Sequence, residues 1–419
     1  MNRVLITGLG MITPLGSDSS SSFAAALQGQ SAIRPAPTDI TGGLPNLLMA
    51  AVAADPASLL DKKFASLDRA TQFALVAADE ALKHASISSH PADSARFGVF
   101  AGIGFGGAHT LDGLYARYFA ALTAPSHAHK NPTVMHPLSV PRMMANAAAA
   151  AVSMHYGLAG ASNTYSVACA SSAVAAGEAF RAIRHGYLDA AVVLGTESML
   201  TPGSLMAWNA LRVMAKPDSR NPAHSCRPFS LDRNGFVLGE GAAALVLESQ
   251  ARVQQRQAPA LAELAGYGCS SDAQHLTNPS VQGQVASMQQ ALDIAGLGAC
   301  DIGYLNAHGT ATDAGDVIET QSIRAVFGAV ADRLAVSSTK AVHGHLIGAG
   351  GALELALSIM AMRSGSLPPT AHLEHPDPRC DLDYVPLQAR HQCRIDAVMS
   401  NSFAFGGSNA TLIARRYVS

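Results

Sequence analysis

One cysteine of the chain stands where its sulfur could be activated as a nucleophile. Cys169 lies in residues 166–172, between extended sequence and an Ala-rich helical pattern over residues 173–184. The free N–H groups and the dipole at a helix N-terminus favour a thiolate over a thiol, and a sharp turn there would present the sulfur to a ligand. The open alternative is a buried small hydrophobe, the usual role of a free cysteine. The other five cysteines lack this placement and are predicted to be structural.

A histidine stands at the end of a predicted strand in the second part of the chain. His308 follows residues 302–306 and is itself followed by Gly309, Thr310 and Thr312. A histidine beside glycine and hydroxyl side chains at a strand end is typical of an active site, because such loops carry much of the chemistry of α/β proteins. The open alternative is a turn histidine that bonds only to backbone.

Two further loops are rich in glycine. Residues 337–351 bring Lys340, His343 and His345 together, and glycine allows the backbone to approach a ligand closely. This favours a functional loop over a solvated lysine with incidental histidines. In residues 401–409, two phenylalanines could plug or gate a cavity, and a backbone N–H is available to an oxyanion. The alternative for that segment is an ordinary tight loop.

All of these loops follow predicted strands, and ligands of α/β proteins bind at such strand ends. Cys169, Lys340 and two of the histidines of these loops could therefore converge. A cysteine–histidine set without metal-ligand spacing is typical of acyl transfer through a thioester. The glycine run at 102–107 looks like a dinucleotide loop, but no acidic residue ends a strand at the required distance.

The elements that must position these loops alternate between short apolar strands and Ala-rich helices, the pattern of an α/β fold with doubly covered strands. The predicted strands are residues 4–7, 96–100, 190–194, 241–248, 261–264, 302–306, 334–338 and 395–400. The predicted helices are residues 67–85, 139–156, 173–184, 283–296, 314–327 and 350–363. Near residues 250–260 the composition changes to a polar, proline-containing sequence. This change predicts two halves, 1–255 with the candidate cysteine and 256–419 with the histidine and lysine loops. No residue-level repeat is evident, so the duplication is expected from element order alone.

Composition argues against several classes of protein. The 419 residues are 48% hydrophobic and 14% charged, with a net charge of −2. A large core and a subunit interface are expected, whereas a nucleic-acid binder would carry a basic excess. The six cysteines are too sparse for a disulfide scaffold and lack zinc-site spacing, so a reduced, cytoplasmic protein is expected. No apolar stretch reaches the roughly 18 residues of a membrane-spanning helix.

Taken in order, the motifs resemble those of the β-ketoacyl-acyl carrier protein synthases, the Cys-His-His condensing enzymes of the thiolase superfamily. The resemblance runs nearly end to end. It rests on VLITGLGMITPLG at 4–16, the Cys169 motif, RPF at 227–229, DRNGFVLGEG at 232–241, NAHGTATDAGD at 306–316, the Lys340/His345 loop and NSFAFGGSNA at 401–410. It implies the thiolase fold, with two similar α/β halves in a five-layer αβαβα arrangement.

The resemblance also implies an activity, a decarboxylative Claisen condensation that yields a β-ketoacyl-acyl carrier protein in fatty-acid, polyketide or polyene elongation. Cys169 would take the acyl chain as a thioester. His308 and His345 would drive decarboxylation of a malonyl extender and stabilise the enolate. The N–H groups of Cys169 and Phe405 would form the oxyanion hole, and Phe405 would also gate the site.

Other residues receive supporting roles from the same resemblance. Lys340 and Glu354 would orient the histidines, and Asp316, in the His308 motif, would support that loop. Thr310 and Thr312 would hydrogen-bond the phosphopantetheine arm.

The resemblance assigns further residues to the acyl pocket and the carrier protein. Trp208 falls where relatives line the pocket with an aromatic side chain, although a plain core residue is an equal alternative. Ser139 stands where relatives often have phenylalanine near the pocket end and dimer interface, which would lengthen or widen the pocket. Arg212, Lys62 and Lys63 are candidates for contact with the acidic carrier protein, and the alternative is that they are merely solvated surface side chains.

No cofactor or metal is expected beyond substrates carried on phosphopantetheine. The expected partners are an acyl carrier protein and a second copy of the chain, or a related subunit in a heterodimer, with no nucleic acid. The alternative function is a non-catalytic, chain-length-factor-like subunit, although such relatives typically lose the cysteine that Cys169 provides. A thiolase is disfavoured because residues 401–409 lack a second cysteine.

Overall fold

In the computed structural model, which describes residues 1–123 and 136–418, strands and helices alternate along the chain. The strands are β1 (Val4–Ile12), β2 (Arg34–Pro35), β3 (Leu48–Ala50), β4 (Phe97–Gly102), β5 (Ser162–Tyr165), β6 (Ala190–Glu197), β7 (Leu238–Gly239), β8 (Gly241–Ser249), β9 (Ala262–Ser271), β10 (Tyr304–Asn306), β11 (Ala335–Ser337), β12 (Ala397–Phe403) and β13 (Ser408–Arg415). The helices are α1 (Ser19–Leu27), α2 (Thr38–Thr41), α3 (Arg69–His84), α4 (Ala108–Thr123), α5 (Ser139–Met143), α6 (Ala147–Tyr156), α7 (Ser171–Arg184), α8 (Pro202–Ala210), α9 (Gln250–Gln255), α10 (Val281–Ala295), α11 (Asp313–Phe327), α12 (Lys340–His343) and α13 (Gly350–Ser364). The predicted α/β class is confirmed.

The two halves of the large sheet have the same topology. Across the sheet the order is β5-β4-β6-β8-β1 in the first half and β11-β10-β12-β13-β9 in the second, and the halves join where β1 pairs with β9. In each half the two outermost pairs are parallel and the two innermost are antiparallel. This identity of order supports the expected duplication. The boundary after residue 255 stays a prediction.

Alternation of side chains across the strands builds three apolar layers. Along β6, Ala191 and Val193 pack inward on α7 and α13, whereas Val192 and Leu194 pack outward on α3 and α6. The outward residues of the second half pack on α10 and α11. Helices α7 and α13 lie between the two halves of the sheet and are largely buried, so most of their residues are apolar or small. The charged exceptions are Glu178, Arg181 and Arg184 in α7 and Glu354 and Arg363 in α13. The result is the predicted five-layer thiolase arrangement.

The prediction of one continuous helix over residues 139–156 is wrong. The structure breaks it into α5 and α6, with Met144 in extended conformation between them. The reason is a tertiary contact with the glycine run of the first half, where Gly107 N–H donates to the Met143 carbonyl at 3.3 Å. A Cβ on Gly107 would lie 2.5 Å from the Arg142 carbonyl oxygen, so only glycine allows this approach.

A short residue-level repeat escaped the sequence analysis. Gly8 and Gly10 of β1 pack against the backbone of α3, and Gly266 and Gly268 of β9 pack in the same way against α10. A Cβ on Gly10 would lie 2.1 Å from a helix carbonyl oxygen, and one on Gly268 would lie 1.8 Å from another. Each Gly-x-Gly therefore lets one outer helix sit directly on the first strand of its half.

This packing predicts that Gly10→Ala and Gly268→Ala each lower the free energy of unfolding by about 1 to 3 kcal/mol, because the added methyl forces helix and strand apart. Gly113→Ala is the matched control, since its Cβ would meet only the end of Arg117, 3.6 Å away. Chemical denaturation at one protein concentration measures all three variants. Unchanged stability in both strand variants would contradict the close-packing account.

Candidate active site

Cys169 sits on a strained turn between β5 and α7. The preceding residue, Ala168, has φ +44°, a left-handed conformation that is costly for a residue with a Cβ. Ser171, the first residue of α7, holds the turn, because its hydroxyl accepts from the Val167 N–H at 2.8 Å and donates to the Ala168 carbonyl at 2.6 Å. The turn thus resembles a nucleophile elbow, which lifts the reactive atom out of the strand.

The protonation state of Cys169 differs from the sequence-based expectation. Burial raises the pKa of its thiol to about 12, although the charge of Lys340 and a hydrogen bond from the Phe405 N–H act in the opposite direction. The residue is only 6% exposed, and loss of water around the anion outweighs the helix N-terminus. The resting side chain is therefore a thiol at neutral pH.

His345 directly contacts the sulfur. Its Nε2 lies 3.0 Å from Cys169 Sγ, and its Nδ1 accepts a hydrogen bond from the Ile347 N–H at 3.2 Å. Because a backbone donor occupies Nδ1, the ring proton of the neutral imidazole lies on Nε2. Ile347 has φ +44°, so the backbone is strained at the residue that fixes this tautomer.

His308 approaches from the end of β10. The carboxylate of Glu319 accepts the backbone N–H groups of His308 and Gly309 at 2.8 and 2.7 Å, which anchors the loop to α11. The rings of His308 and His345 lie 5.4 Å apart at 80°. Burial and the charge of Lys340 lower the pKa of both imidazoles well below 6.5, so both are neutral at pH 7.

Lys340 and Glu354 form a buried ion pair behind the histidines. Each side chain is 1% exposed, and Lys340 Nζ donates to Glu354 Oε1. Burial raises the pKa of Glu354 to about 7, although the charge of Lys340 and its hydrogen bond act to lower it. The lysine charge also lowers the pKa of the thiol and of both imidazoles.

Cys169, His308 and His345 each offer one ligand-type atom, and the three atoms lie within 4.8 Å of one another. A metal would need a lone pair on the ring nitrogens, but the contact with Ile347 leaves a proton on His345 Nε2. This donor set fits hydrogen bonding to a developing oxyanion better than it fits a cation.

Phe405 belongs to the loop between β12 and β13. Its N–H hydrogen-bonds to Cys169, while its ring stacks on Trp208 with centroids 6.4 Å apart. The next residue, Gly406, donates its N–H to the Leu276 carbonyl at 2.7 Å. The loop therefore places one backbone donor beside the sulfur and one aromatic ring beside a tryptophan.

Two cavities meet at the site. The first, about 250 Å³, is lined by Cys169, both histidines, Thr310 and Thr312; the two threonine hydroxyls are 3.0 Å apart. The second, about 360 Å³, is mainly apolar and is lined by residues that include Phe105, Leu111, Met199, Leu211 and Ile347. Trp208 lines both cavities.

Some sequence-predicted residues lie away from these cavities. Ser139 is buried but lines neither cavity, and its hydroxyl donates to the His136 carbonyl at 2.7 Å. Arg212, Lys62 and Lys63 are exposed and line neither, although Arg212 directly precedes a residue of the first cavity, Val213.

Two more candidates support loops instead of facing substrate space. Asp316 is buried and accepts the N–H groups of Phe229 and Ala311 at 2.7 and 3.1 Å, and burial raises its pKa to about 7. His343 is buried with both ring nitrogens bonded, one to the Gly344 carbonyl and one to Thr339 Oγ1. Asp316 thus holds the threonine loop, and His343 fixes the peptide before His345.

Sequence reasoning missed Glu319 and Phe236. Glu319 stands three residues after Asp316, one helical turn further along α11, so the i, i+3 spacing of two acids behind a histidine loop was the available signal. Phe236 lies in the motif at 232–241, and its ring meets His345 edge-on with centroids 5.2 Å apart. No pattern in the sequence pairs that ring with His345.

Residues 1–252 match the family description "Beta-ketoacyl synthase, N-terminal domain", and residues 261–374 match "Beta-ketoacyl synthase, C-terminal domain". The chain belongs to the beta-ketoacyl synthase family. The synthase is 39% identical over 418 residues to a 3-oxoacyl-[acyl-carrier-protein] synthase 2 of Coxiella burnetii, with 99% of this chain and 98% of the relative covered. It is 40% identical over 415 residues to nodulation protein E of Rhizobium sp. strain N33, with 99% of each covered.

The fold agrees with this membership. The structure superimposes on one chain of a solved complex described as a type II PKS acyl-carrier protein with its ketosynthase. The TM-score is 0.89 at 28% sequence identity, and the match covers 100% of both chains. The predicted family, thiolase fold and class of enzyme are confirmed. The synthase is an acyl-transferring condensing enzyme of fatty-acid or polyketide chain elongation. Among the described residues, no helix has the length and apolarity needed to cross a membrane.

The buried thiol predicts a steep pH dependence of alkylation. Only the thiolate reacts, and the pKa of Cys169 lies near 12, so its alkylation rate by iodoacetamide should rise about tenfold per pH unit from pH 6 to 9 without a plateau. Lys340→Met should slow the reaction at each pH, because the lost charge raises the pKa further.

Mass mapping of the peptide that contains Cys169 measures this rate separately from the other thiols. Cys226→Ala is the control, since Cys226 is another buried thiol whose pKa lies near 12 and its loss should leave the profile unchanged. A plateau below pH 8 would contradict the assignment of a resting thiol.

Proposed function

We propose that Cys169 receives an acyl group from an acyl carrier protein and passes it to a malonyl extender, with His308, His345 and the Phe405 N–H as the groups that stabilise developing charge. One observation carries the proposal. The thiol, both neutral imidazoles and that N–H donor meet in a single cavity.

The first half-reaction exchanges one thiol for another. The Cys169 sulfur bonds to the acyl carbon, the bond to the pantetheine sulfur breaks, and the thiol proton ends on the departing sulfur. Proton uptake and release therefore balance, and the high pKa of the thiol is no obstacle to the net reaction. The N–H groups of Cys169 and Phe405 would hold the oxygen of the tetrahedral intermediate, where preorganised donors are most effective.

The second half-reaction breaks the bond between malonyl carbon and carboxylate and releases carbon dioxide. The electron pair of that bond forms an enolate. Its negatively charged oxygen is stabilised by hydrogen-bond donors that carry no negative charge themselves. His345 donates from Nε2, because its Nδ1 is occupied by Ile347, and His308 is neutral in the same cavity. The carbanion attacks the acyl carbon, the Cys169 sulfur leaves, and one proton is taken up to restore the thiol.

The second, apolar cavity is proposed to hold the acyl chain. Burial of each CH₂ contributes about 0.8 kcal/mol, and the cavity begins beside the nucleophile turn, since Ala168 lines it. Thr310 and Thr312 would bond to the pantetheine arm in the first cavity. Arg212, which directly precedes Val213 of the first cavity, remains proposed for the carrier protein, as do Lys62 and Lys63.

A homodimer is proposed through the edge of the first half. β5 is the edge strand of the large sheet, and an unprotected edge can pair with another chain. The exposed large apolar side chains of α4, α5 and the segment between α5 and α6 are Tyr115, Phe119, Leu122, Val140 and Met144. Such a face marks an interface. Ser139 lies at the start of α5, so its proposed influence on the pocket would act in the dimer.

The finer predictions of pathway, cytoplasmic location and absence of a cofactor other than carrier-bound substrate stay proposals. The alternative, a non-catalytic partner in a heterodimer, predicts that Cys169 carries no acyl group. The completeness of the donor set around the sulfur favours the catalytic role.

Incubation with octanoyl-acyl carrier protein should add one octanoyl mass to the synthase, and Cys169→Ala should abolish the adduct. His308→Ala and His345→Ala should keep the adduct but lower carbon dioxide release from malonyl-acyl carrier protein by about 100-fold or more, because they remove a proton or hydrogen-bond donor from the carbanion step. Intact-mass spectrometry and a carbon dioxide assay measure the two steps.

An adduct that persists in Cys169→Ala would refute the nucleophile. Absence of any adduct on the unaltered protein would favour the partner-subunit alternative. Cys226→Ala is the matched control and should retain both steps.

The interface predicts that Phe119→Glu combined with Val140→Glu yields monomers, because two buried charges oppose association. Leu231→Glu is the control, since Leu231 is 61% exposed and belongs to none of these elements. Sedimentation velocity of the purified proteins measures the state. A double variant that stays dimeric would reject this face.

A further inference from the structure

An unbroken series of aromatic contacts connects Phe405, the gate implied by the family resemblance, to a histidine of the site. Phe405 stacks on Trp208 with centroids 6.4 Å apart and an interplanar angle of 27°. Trp208 meets Phe236 edge-on at 5.6 Å and 79°, and Phe236 meets His345 edge-on at 5.2 Å and 85°. Any displacement of the indole therefore disturbs ring contacts on both sides.

Trp208 is also the wall between the two cavities. It lines the cavity that contains Cys169 and the apolar cavity, and its Nε1–H points at Met199 Sδ, 3.4 Å away. A thioether is a weak acceptor, so this contact holds the ring loosely. Its helix, α8, has a single buried residue, Leu205. The ring therefore has freedom to move that a core tryptophan lacks.

We propose that Trp208 is a positioning residue that is displaced when an acyl chain fills the apolar cavity, and that this displacement frees Phe405 to open the gate. A long acyl chain then releases Phe405, and a short one does not. This inference rests on the proposed acylation of Cys169. A chain that reaches the indole from the apolar cavity displaces the ring, and the displaced ring loses its stack with Phe405, which lines the other cavity. A chain too short to reach the indole leaves the stack of Trp208 and Phe405 intact, and Phe405 then continues to block the extender.

The consequence is a chain-length selection in the second half-reaction. Acyl transfer to the sulfur would tolerate short chains, whereas decarboxylation of the extender would wait for a chain that reaches Trp208. An aromatic stack of this kind shifts an equilibrium by about three- to tenfold, so a selection of that size is expected.

The chain has one tryptophan, so intrinsic fluorescence reports on this ring without labelling. The synthase is loaded with acetyl or octanoyl groups from the carrier protein, and intact mass verifies each adduct. Octanoyl loading should change the emission maximum and the iodide quenching of Trp208, and acetyl loading should change neither. Equal spectra for the free and the verified octanoyl forms would overturn the inference.

A second measurement tests the coupling itself. Carbon dioxide release from malonyl-acyl carrier protein is compared between octanoyl-loaded and acetyl-loaded enzyme. The unaltered protein should show a ratio of about three- to tenfold. Trp208→Ala should bring the ratio close to one, whereas Trp208→Phe, which keeps an aromatic ring, should retain it. Met206→Ala is the matched control, because Met206 lies on α8, is 53% exposed and lines neither cavity.

A merely structural role would lower both rates together and leave their ratio unchanged, and that result in Trp208→Ala would refute the proposal. If this variant fails to fold, the fluorescence of the unaltered protein still decides. Failure of Cys169 to acquire any acyl group would refute the proposed function and this inference together. A verified octanoyl adduct whose tryptophan fluorescence equals that of the free protein would refute the inference alone.

Discussion

The ammonium group of Lys340 is buried against one carboxylate, that of Glu354, and its field reaches the thiol and both imidazoles. A buried charge needs a partner, since an isolated one would be too costly to desolvate. The pairing with Glu354 lets the lysine charge remain inside a dry site. Burial, with the charge of Lys340 acting in the same direction, keeps the imidazoles neutral, and the same charge lowers the pKa of the thiol against the effect of burial. The half-reactions require both effects, since one releases a thiolate and the other generates an enolate.

The equal strand orders of the two halves explain how these groups come together. The loop from β5 to α7 carries Cys169, and the corresponding connection of the second half, from β11 to α13, carries Lys340 and His345. Helices α7 and α13 pack on each other between the two halves of the sheet. The two equivalent loops therefore face one space from opposite halves. Left-handed backbone at Ala168 and Ile347 is tolerated because the surrounding core fixes both turns.

Much of the fold could be predicted from sequence because its signals are local. Apolar runs of strand length and Ala-rich helical patterns fixed the class, and most predicted elements lie within a few residues of those observed. The helix over residues 139–156 was mispredicted because a glycine run far away in sequence takes one of its carbonyls. The Gly-x-Gly repeat of β1 and β9 was overlooked, since its meaning depends on which helix lies above each strand.

For the site, the sequence by itself determined which chemical groups are available and that each stands on a loop after a strand. Residue type and local pattern are enough for that, and they led to a cysteine nucleophile with two histidines. Only the tertiary structure decided the protonation states and the neighbours. Burial of Cys169 reverses the thiolate expected from its helix N-terminus, and the Ile347 N–H selects the tautomer of His345. The placement of Trp208 between two cavities arises from packing of α8. Desolvation and ring contacts depend on distances between residues remote in the chain, and no local pattern encodes them.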